Sequence, residues 1–140
     1  MRILFIATAL LLAACGTVGG VYTSPLAGTT WRLAALQSSD DAIGTMRPAD
    51  PSLYEITFNA DGTASLRLDC NRGTGTWTSP GDNQLTFTPL AVTRAFCGEG
   101  SLDTRVAREL GYVRSYVRDG DTLTLNMMAD GGNLVWTRQR

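Results

Sequence analysis

The feature that most restricts the fold is an alternation of apolar and polar residues with period two, cut at short intervals by turn-forming pairs. Tyr54, Ile56 and Phe58 fall on one face and Glu55, Thr57 and Asn59 on the other. After Asp61-Gly62, Ala64, Leu66 and Leu68 alternate with Ser65, Arg67 and Asp69. A half-buried strand needs this repeat, because successive side chains of a strand point to opposite faces. An Asp-Gly pair supplies the positive φ of a tight hairpin. The first strand is expected near Thr30, supplied by Trp31, Leu33 and Leu36, and Ser38 to Ser52 reads as a polar loop. A strand around Gly75 to Thr78 follows, then a Pro80-Gly81-Asp82-Asn83 turn, then Leu85 and Phe87. Near the end, Leu123, Leu125 and Met127 alternate, Asp130-Gly131-Gly132-Asn133 turns the chain, and Leu134 and Trp136 close it.

One segment breaks the rhythm. Leu102, Val106, Leu110, Val113 and Val117 lie four, four, three and four residues apart, the stripe of a helix. Ser101 reads as its N-cap, Asp103 suits its first turn, and it should end before Asp119-Gly120. The expectation is an α+β, mostly β domain: an antiparallel meander of five to eight short strands, curled into a small, partly closed barrel, with one helix between late strands.

The N-terminus reads MRILFIATALLLAACG. Arg2 precedes an apolar run from Ile3 to Ala14, the length of a signal-peptide core and short for a permanent span. Its end, Leu12-Ala13-Ala14-Cys15-Gly16, resembles a bacterial lipobox, in which the cysteine becomes the lipidated first residue. That resemblance implies a signal peptide at 1–14 and a membrane anchor of several acyl chains on Cys15, since one chain alone would let the protein exchange. Gly16 rather than aspartate after the cysteine favours the periplasmic face of the outer membrane. Residues 15–27, small and turn-rich, read as the lipidated cysteine and a flexible tether, with the domain at 28–140. Some 126 residues then remain, enough for one domain with its own core.

Composition closes several functional classes. The formal net charge is −1 and the twelve basic residues, all arginine, are scattered, which argues against nucleic acid. There is no histidine, which removes Ser/His/Asp and Cys/His catalysis, the usual zinc sites and an imidazole pH switch. Asp119-Gly120-Asp121 and Asp130-Gly131 place carboxylates beside glycine but lack the repeated ligands of a calcium loop. Glu55, Asp69, Glu99 and Glu109 have no spacing that brings two together as a glycosidase pair. Trp31, Trp77 and Trp136 suit a core or a ligand groove.

With Cys15 assigned to the anchor, Cys70 and Cys97 remain. A bridge is the simplest reading in a disulfide-permissive compartment. A reactive thiol assisted by Arg72 and Arg94, or a metal site, are the alternatives.

Four pieces, in order, resemble the META domain, the DUF306 family of HslJ-type envelope lipoproteins. Trp31-Arg32-Leu33 matches an opening W-x-L; Cys70-Asn71 with Gly75 and Trp77 matches C-N-x-x-x-G-x-aromatic. Thr93 and Cys97 match T-x-x-x-C after Leu85-Thr86-Phe87-Thr88-Pro89-Leu90-Ala91, and Leu123-Thr124-Leu125 with Leu134-Val135-Trp136-Thr137-Arg138 matches the closing pieces. Asp69 departs from the pattern, for many members have glycine before Cys-Asn.

The resemblance implies a Cys70–Cys97 disulfide and structural roles for Trp31, Asn71, Gly75, Trp77 and Thr93. It implies no cofactor, no metal and no catalytic residue. The expected protein is a non-enzymatic envelope lipoprotein, a monomer, that supports envelope integrity under heat or antibiotic stress through contacts with envelope proteins or cell wall. A small carrier or pilot-like protein for a lipid or other hydrophobic ligand is the alternative. It would need Phe58, Leu66, Leu125 and Trp136 to line a void rather than fill the interior.

Overall fold

The computed structural model describes residues 23–140. The expected signal peptide, Cys15 and most of the expected tether lie outside the described residues. Strands β1 (Thr29–Gln37), β2 (Thr45–Met46), β3 (Tyr54–Phe58), β4 (Thr63–Leu68), β5 (Asn71–Thr78) and β6 (Thr86–Val92) precede helix α1 (Asp103–Leu110). After it come β7 (Val113–Asp119), β8 (Thr122–Met127) and β9 (Asn133–Gln139). They form one antiparallel sheet in the order β6-β5-β4-β3-β1-β9-β8-β7, with the two-residue β2 on β1.

The sheet curls until its two ends meet at one point. Leu85 N–H donates to Arg114 O (3.1 Å) and Tyr116 N–H to Asn83 O (2.9 Å). The result is a half-barrel, the expected class, with α1 carrying Val106 and Leu110 into its core. Nine strands form rather than five to eight, the additional one being β2 inside the segment read as loop.

The turns follow local chemistry. Asp61 accepts from Thr63 Oγ1 (2.6 Å) and N–H (2.9 Å) beside Gly62. Asp50 likewise accepts from the Ser52 hydroxyl and N–H at the 3₁₀ turn Pro51–Leu53. These hydrogen bonds, the side-chain one foremost, hold both carboxyls below their ordinary value.

Two expectations are corrected. The helix ends at Leu110 rather than before Asp119, because the Gly111 N–H closes onto Arg108 O and Glu109 O and the chain re-enters the sheet as β7. A register shift between Val113 and Ser115 puts Val113 and Tyr116 inward, three residues apart, and leaves Val117 54 % exposed. The stripe therefore joins two inward helix residues, Val106 and Leu110, to a buried strand residue, Val113, and to Val117, which is not in the core. Leu26, read as tether, is fully buried. Ser24 to Gly28 is a turn closed by Ala27 N–H to Ser24 O (3.1 Å), with Arg118 Nη1 donating to Pro25 O (3.1 Å). An apolar side chain at the barrel's end gains more inside than in water, so the packed chain starts before residue 28.

The interior is filled. Phe58, Leu66, Leu125 and Trp136 belong to one continuous buried cluster with Trp31, Leu33, Ile56, Leu68 and Leu123. Phe58 meets Trp77 edge-on at 5.4 Å and Phe87 at 5.9 Å. Trp136 Nε1 is buried without a partner, a cost of about 1–3 kcal/mol.

Candidate functional site

The residues singled out around the cysteines meet at one place. Strands β4 and β5 form a hairpin in which Leu68 pairs with Asn71, leaving Asp69 and Cys70 as a two-residue loop. Asp69 has φ +58°, at the first loop position, where such hairpins favour glycine. This accounts for the family's glycine there and for the tolerance of aspartate, which enters the left-handed region more easily than most residues. Asp69→Gly is expected to change stability by less than about 1 kcal/mol, whereas the β-branched Asp69→Val should lose about 2 kcal/mol. Urea midpoints at constant slope would check this.

Cys70 is bridged to Cys97, with Cα atoms 5.5 Å apart. The bridge ties the β4–β5 corner to the segment before α1, and the chain-entropy model gives a 27-residue loop about 3.5 kcal/mol. Next to it, Asn71 is fully buried, and its amide is saturated. Nδ2 donates to Ala95 O (3.0 Å) and Asp103 Oδ2 (2.8 Å); Oδ1 accepts from Ala95 N–H (2.8 Å) and Thr93 Oγ1 (2.9 Å). Thr93 Oγ1 in turn accepts from Arg72 N–H (3.0 Å). A buried primary amide can take two donors and offer two, so this network is complete.

The network continues through α1's first turn. Asp103 Oδ1 accepts from Ser101 Oγ (3.0 Å), and Tyr54 Oη lies 3.2 Å from that hydroxyl and accepts from Leu102 N–H (2.9 Å). Ser101 Oγ takes the Asp103 N–H (3.3 Å), although Leu102 occupies the cap position. Asp103, expected only to complement the helix dipole, is therefore also a partner of Asn71. Nothing in the sequence signals that partnership or the use of Ala95 through its backbone.

Gly75 sits where β6 bulges opposite Thr74 and Thr76. A Cβ there would lie 2.6 Å from Leu90 Cδ2 and 3.1 Å from Pro89 O, so glycine admits the Leu90 side chain over the sheet. Trp77 donates from Nε1 to Asn59 O (3.2 Å) and Thr63 O (3.1 Å). Trp31 donates to Thr29 Oγ1 (2.7 Å) beneath the guanidiniums of Arg118 and Arg138, 5.6 and 5.4 Å from its ring. Trp31, Trp77 and Trp136 are buried and so line no groove.

The candidate carboxylates do not converge as a catalytic pair. Glu55 meets Arg32 (3.3 Å), Glu109 meets Arg105 (3.2 Å) and Arg108 (3.1 Å), and Asp69 accepts from Tyr54 Oη (3.3 Å). Asp121 pairs with Arg140 (2.8 Å). Among the described residues no group of three or more Cys, Asp or Glu is placed to hold a metal ion.

Beside the bridge, a cleft of about 390 Å³ opens between β6 and α1. Leu90, Val92 and Ala107 supply its apolar lining, with Arg94 and Arg108 contributing guanidiniums. Phe96, between Ala95 and Cys97, is 84 % exposed.

A family profile described as META domain matches residues 24–140. The chain belongs to the META domain family. Solved structures share the META fold at low identity. An NMR structure of a protein from Burkholderia xenovorans is 20% identical, with a TM-score of 0.64 over 81% of this chain and 83% of that one. A crystal structure of a DUF4847 family protein from Bacteroides vulgatus is 17% identical, with a TM-score of 0.60 over 83% and 97%. No curated protein matches the chain.

Proposed function

We propose that this META domain protein is a lipid-anchored, non-enzymatic module of the bacterial envelope, tethered through Cys15 to the periplasmic face of the outer membrane. It acts by binding other envelope components, proteins or cell wall, and so supports envelope integrity under heat or antibiotic stress. The observation that carries this reading is how the motif side chains are used. Cys70, Asn71, Thr93 and Cys97 bind one another, the tryptophans fill the core, and the carboxylates are dispersed or matched with arginines. What remains for function is the outer surface. Filled packing around Phe58, Leu66, Leu125 and Trp136 gives a carried hydrophobic ligand no chamber inside the barrel.

Substituting Cys15→Ala should move the protein from the membrane to the soluble envelope fraction and remove the acyl mass from the mature chain. The readouts are fractionation and intact mass. Membrane retention of the variant would sink the anchor.

A further inference from the structure

The least explained feature of the surface is Phe96. Exposing a phenylalanine rather than burying it forgoes about 1.5–3 kcal/mol, yet the backbone on either side is held firmly. Ala95 is gripped through both its N–H and its carbonyl by the Asn71 amide, and Cys97 is in the bridge. An aromatic ring fixed on a tied loop loses little freedom on binding.

Its surroundings specify what it would meet. Arg94, two residues before, is exposed and makes no ion pair among the described residues. The cleft beside it sets Leu90, Val92 and Ala107 among Arg94, Arg108 and Asp103, whose carboxylate is taken by Asn71 and Ser101, and a second depression of about 500 Å³ shares Val92 and Thr93 and adds Arg72. Strand β6 ends the sheet: β5 pairs with it on one side and, beyond the closure at Leu85, no strand among the described residues pairs with it on the other. Because Thr93 N–H donates to Arg72 O (2.9 Å), alternation turns the neighbouring Val92 N–H and C=O away from β5. Arg108 is also exposed and shares the single Glu109 carboxylate with Arg105, so this side of the cleft keeps an excess of positive charge. Unpaired strand groups, apolar side chains, exposed guanidiniums and an anchored aromatic are what an extended acidic segment requires.

The location separates this surface from the tether. Gly28 N–H donates to Phe58 O (2.6 Å) at one end of β3, whereas Tyr54, at the other end, binds Leu102 next to the bridged loop. The first described turn, Ser24 to Gly28, thus sits at the opposite end of β3 from the bridged loop that carries Phe96.

We propose that the β6 edge, the cleft against α1 and Phe96 form a docking site for an extended acidic peptide segment of another envelope protein. Its backbone runs along Val92, its carboxylates meet Arg94 and Arg108, and an apolar side chain covers Phe96. The proposal rests on the envelope reading above.

The test places the photocrosslinker benzoylphenylalanine at position 96 of the full chain in living cells, with position 117 on β7 as the control, and maps the adducts by mass spectrometry. The expected result is a protein adduct from position 96 only, within an acidic stretch. A synthetic peptide of that stretch should bind the purified protein in a salt-dependent manner. Phe96→Ser and Arg94→Glu should each weaken it at least tenfold, and Val117→Ser should not. Adducts only with phospholipid, only with a second copy or another part of this chain, or none, would overturn the proposal, as would a mapped peptide indifferent to those two substitutions. Fractionation of the same cells reads the anchor independently, so a soluble protein that still crosslinks to an acidic segment would fail the tether and keep the docking site.

Discussion

The Asn71→Asp variant is expected to lose on the order of 4 kcal/mol at pH 7, more than the about 3 kcal/mol expected for Asn71→Ala. The substitution is nearly isosteric, so packing is held constant while one donor group is replaced by an acceptor. The atom replacing Nδ2 would face Ala95 O at 3.0 Å and Asp103 Oδ2 at 2.8 Å. Both contacts turn from attraction to repulsion in a fully buried place. Two carboxyls that close cannot both ionise easily and share a proton, so the folded variant holds a proton more tightly than the unfolded chain. A group whose affinity for protons rises on folding contributes stability at low pH that is lost as pH rises. The deficit relative to the wild type should therefore shrink below about pH 5 and be largest at neutral pH. At neutral pH the midpoint should fall by about 15 °C for a domain of this size. Paired thermal melts of wild type, Asn71→Asp and Asn71→Ala from pH 4 to 8 would check it. A deficit independent of pH, or smaller for Asp than for Ala, would mean the Asn71 amide is not the centre of this corner.

The residues of this corner could be named from the sequence because each belongs to a short local pattern: Cys70-Asn71 at a strand corner, and Thr93 four residues before Cys97. Their arrangement could not. Two of the Asn71 amide's contacts go to the main chain of Ala95, and a main-chain partner leaves no mark on residue type. The strands are readable where alternation runs unbroken, as in Tyr54 to Phe58 and Thr63 to Leu68, and also in β1, where Leu36 is buried beyond the register shift between Leu33 and Ala35. In β7 the bulge between Val113 and Ser115 makes the inward spacing three and hides the strand. Leu26 was missed for a different reason. One leucine in a stretch of small residues has no periodicity, and its burial depends on where the barrel's end lies.

The turn before β9 shows the same limit and gives the second large effect. Asp130-Gly131-Gly132 is a turn signal, and the glycines suggest that they supply the positive φ. A left-handed pair lies ahead of both glycines, Ala129 (φ +52°) and Asp130 (φ +54°), closed by Gly131 N–H to Met128 O (3.1 Å), and Gly131 itself has no positive φ. Gly132 serves a tertiary purpose. It has φ +98°, and a Cβ there would fall on the carbonyl oxygen of Gln37, with Ser38 Cα 3.2 Å away. Those atoms are backbone at the end of β1, where Gln37 pairs with Asn133, and cannot rotate aside. Gly132→Ala must move the β8–β9 turn off β1 or break the end of the β1–β9 ladder, and it also carries the strain of an alanine at that φ. The expected loss is about 3–4 kcal/mol, against less than about 1 kcal/mol for Gly120→Ala, where φ is +57° and a Cβ meets nothing within 4 Å. Comparing the two by urea denaturation separates the conformational cost, present in both, from the backbone collision, present only at Gly132. Hydrogen exchange should then place the added fraying of Gly132→Ala at Leu134 to Leu36 rather than at the bridged corner, because the collision acts on the opposite side of the half-barrel from β6. Equal losses at the two glycines would show that the close approach of Gly132 to Gln37 is not what this turn depends on.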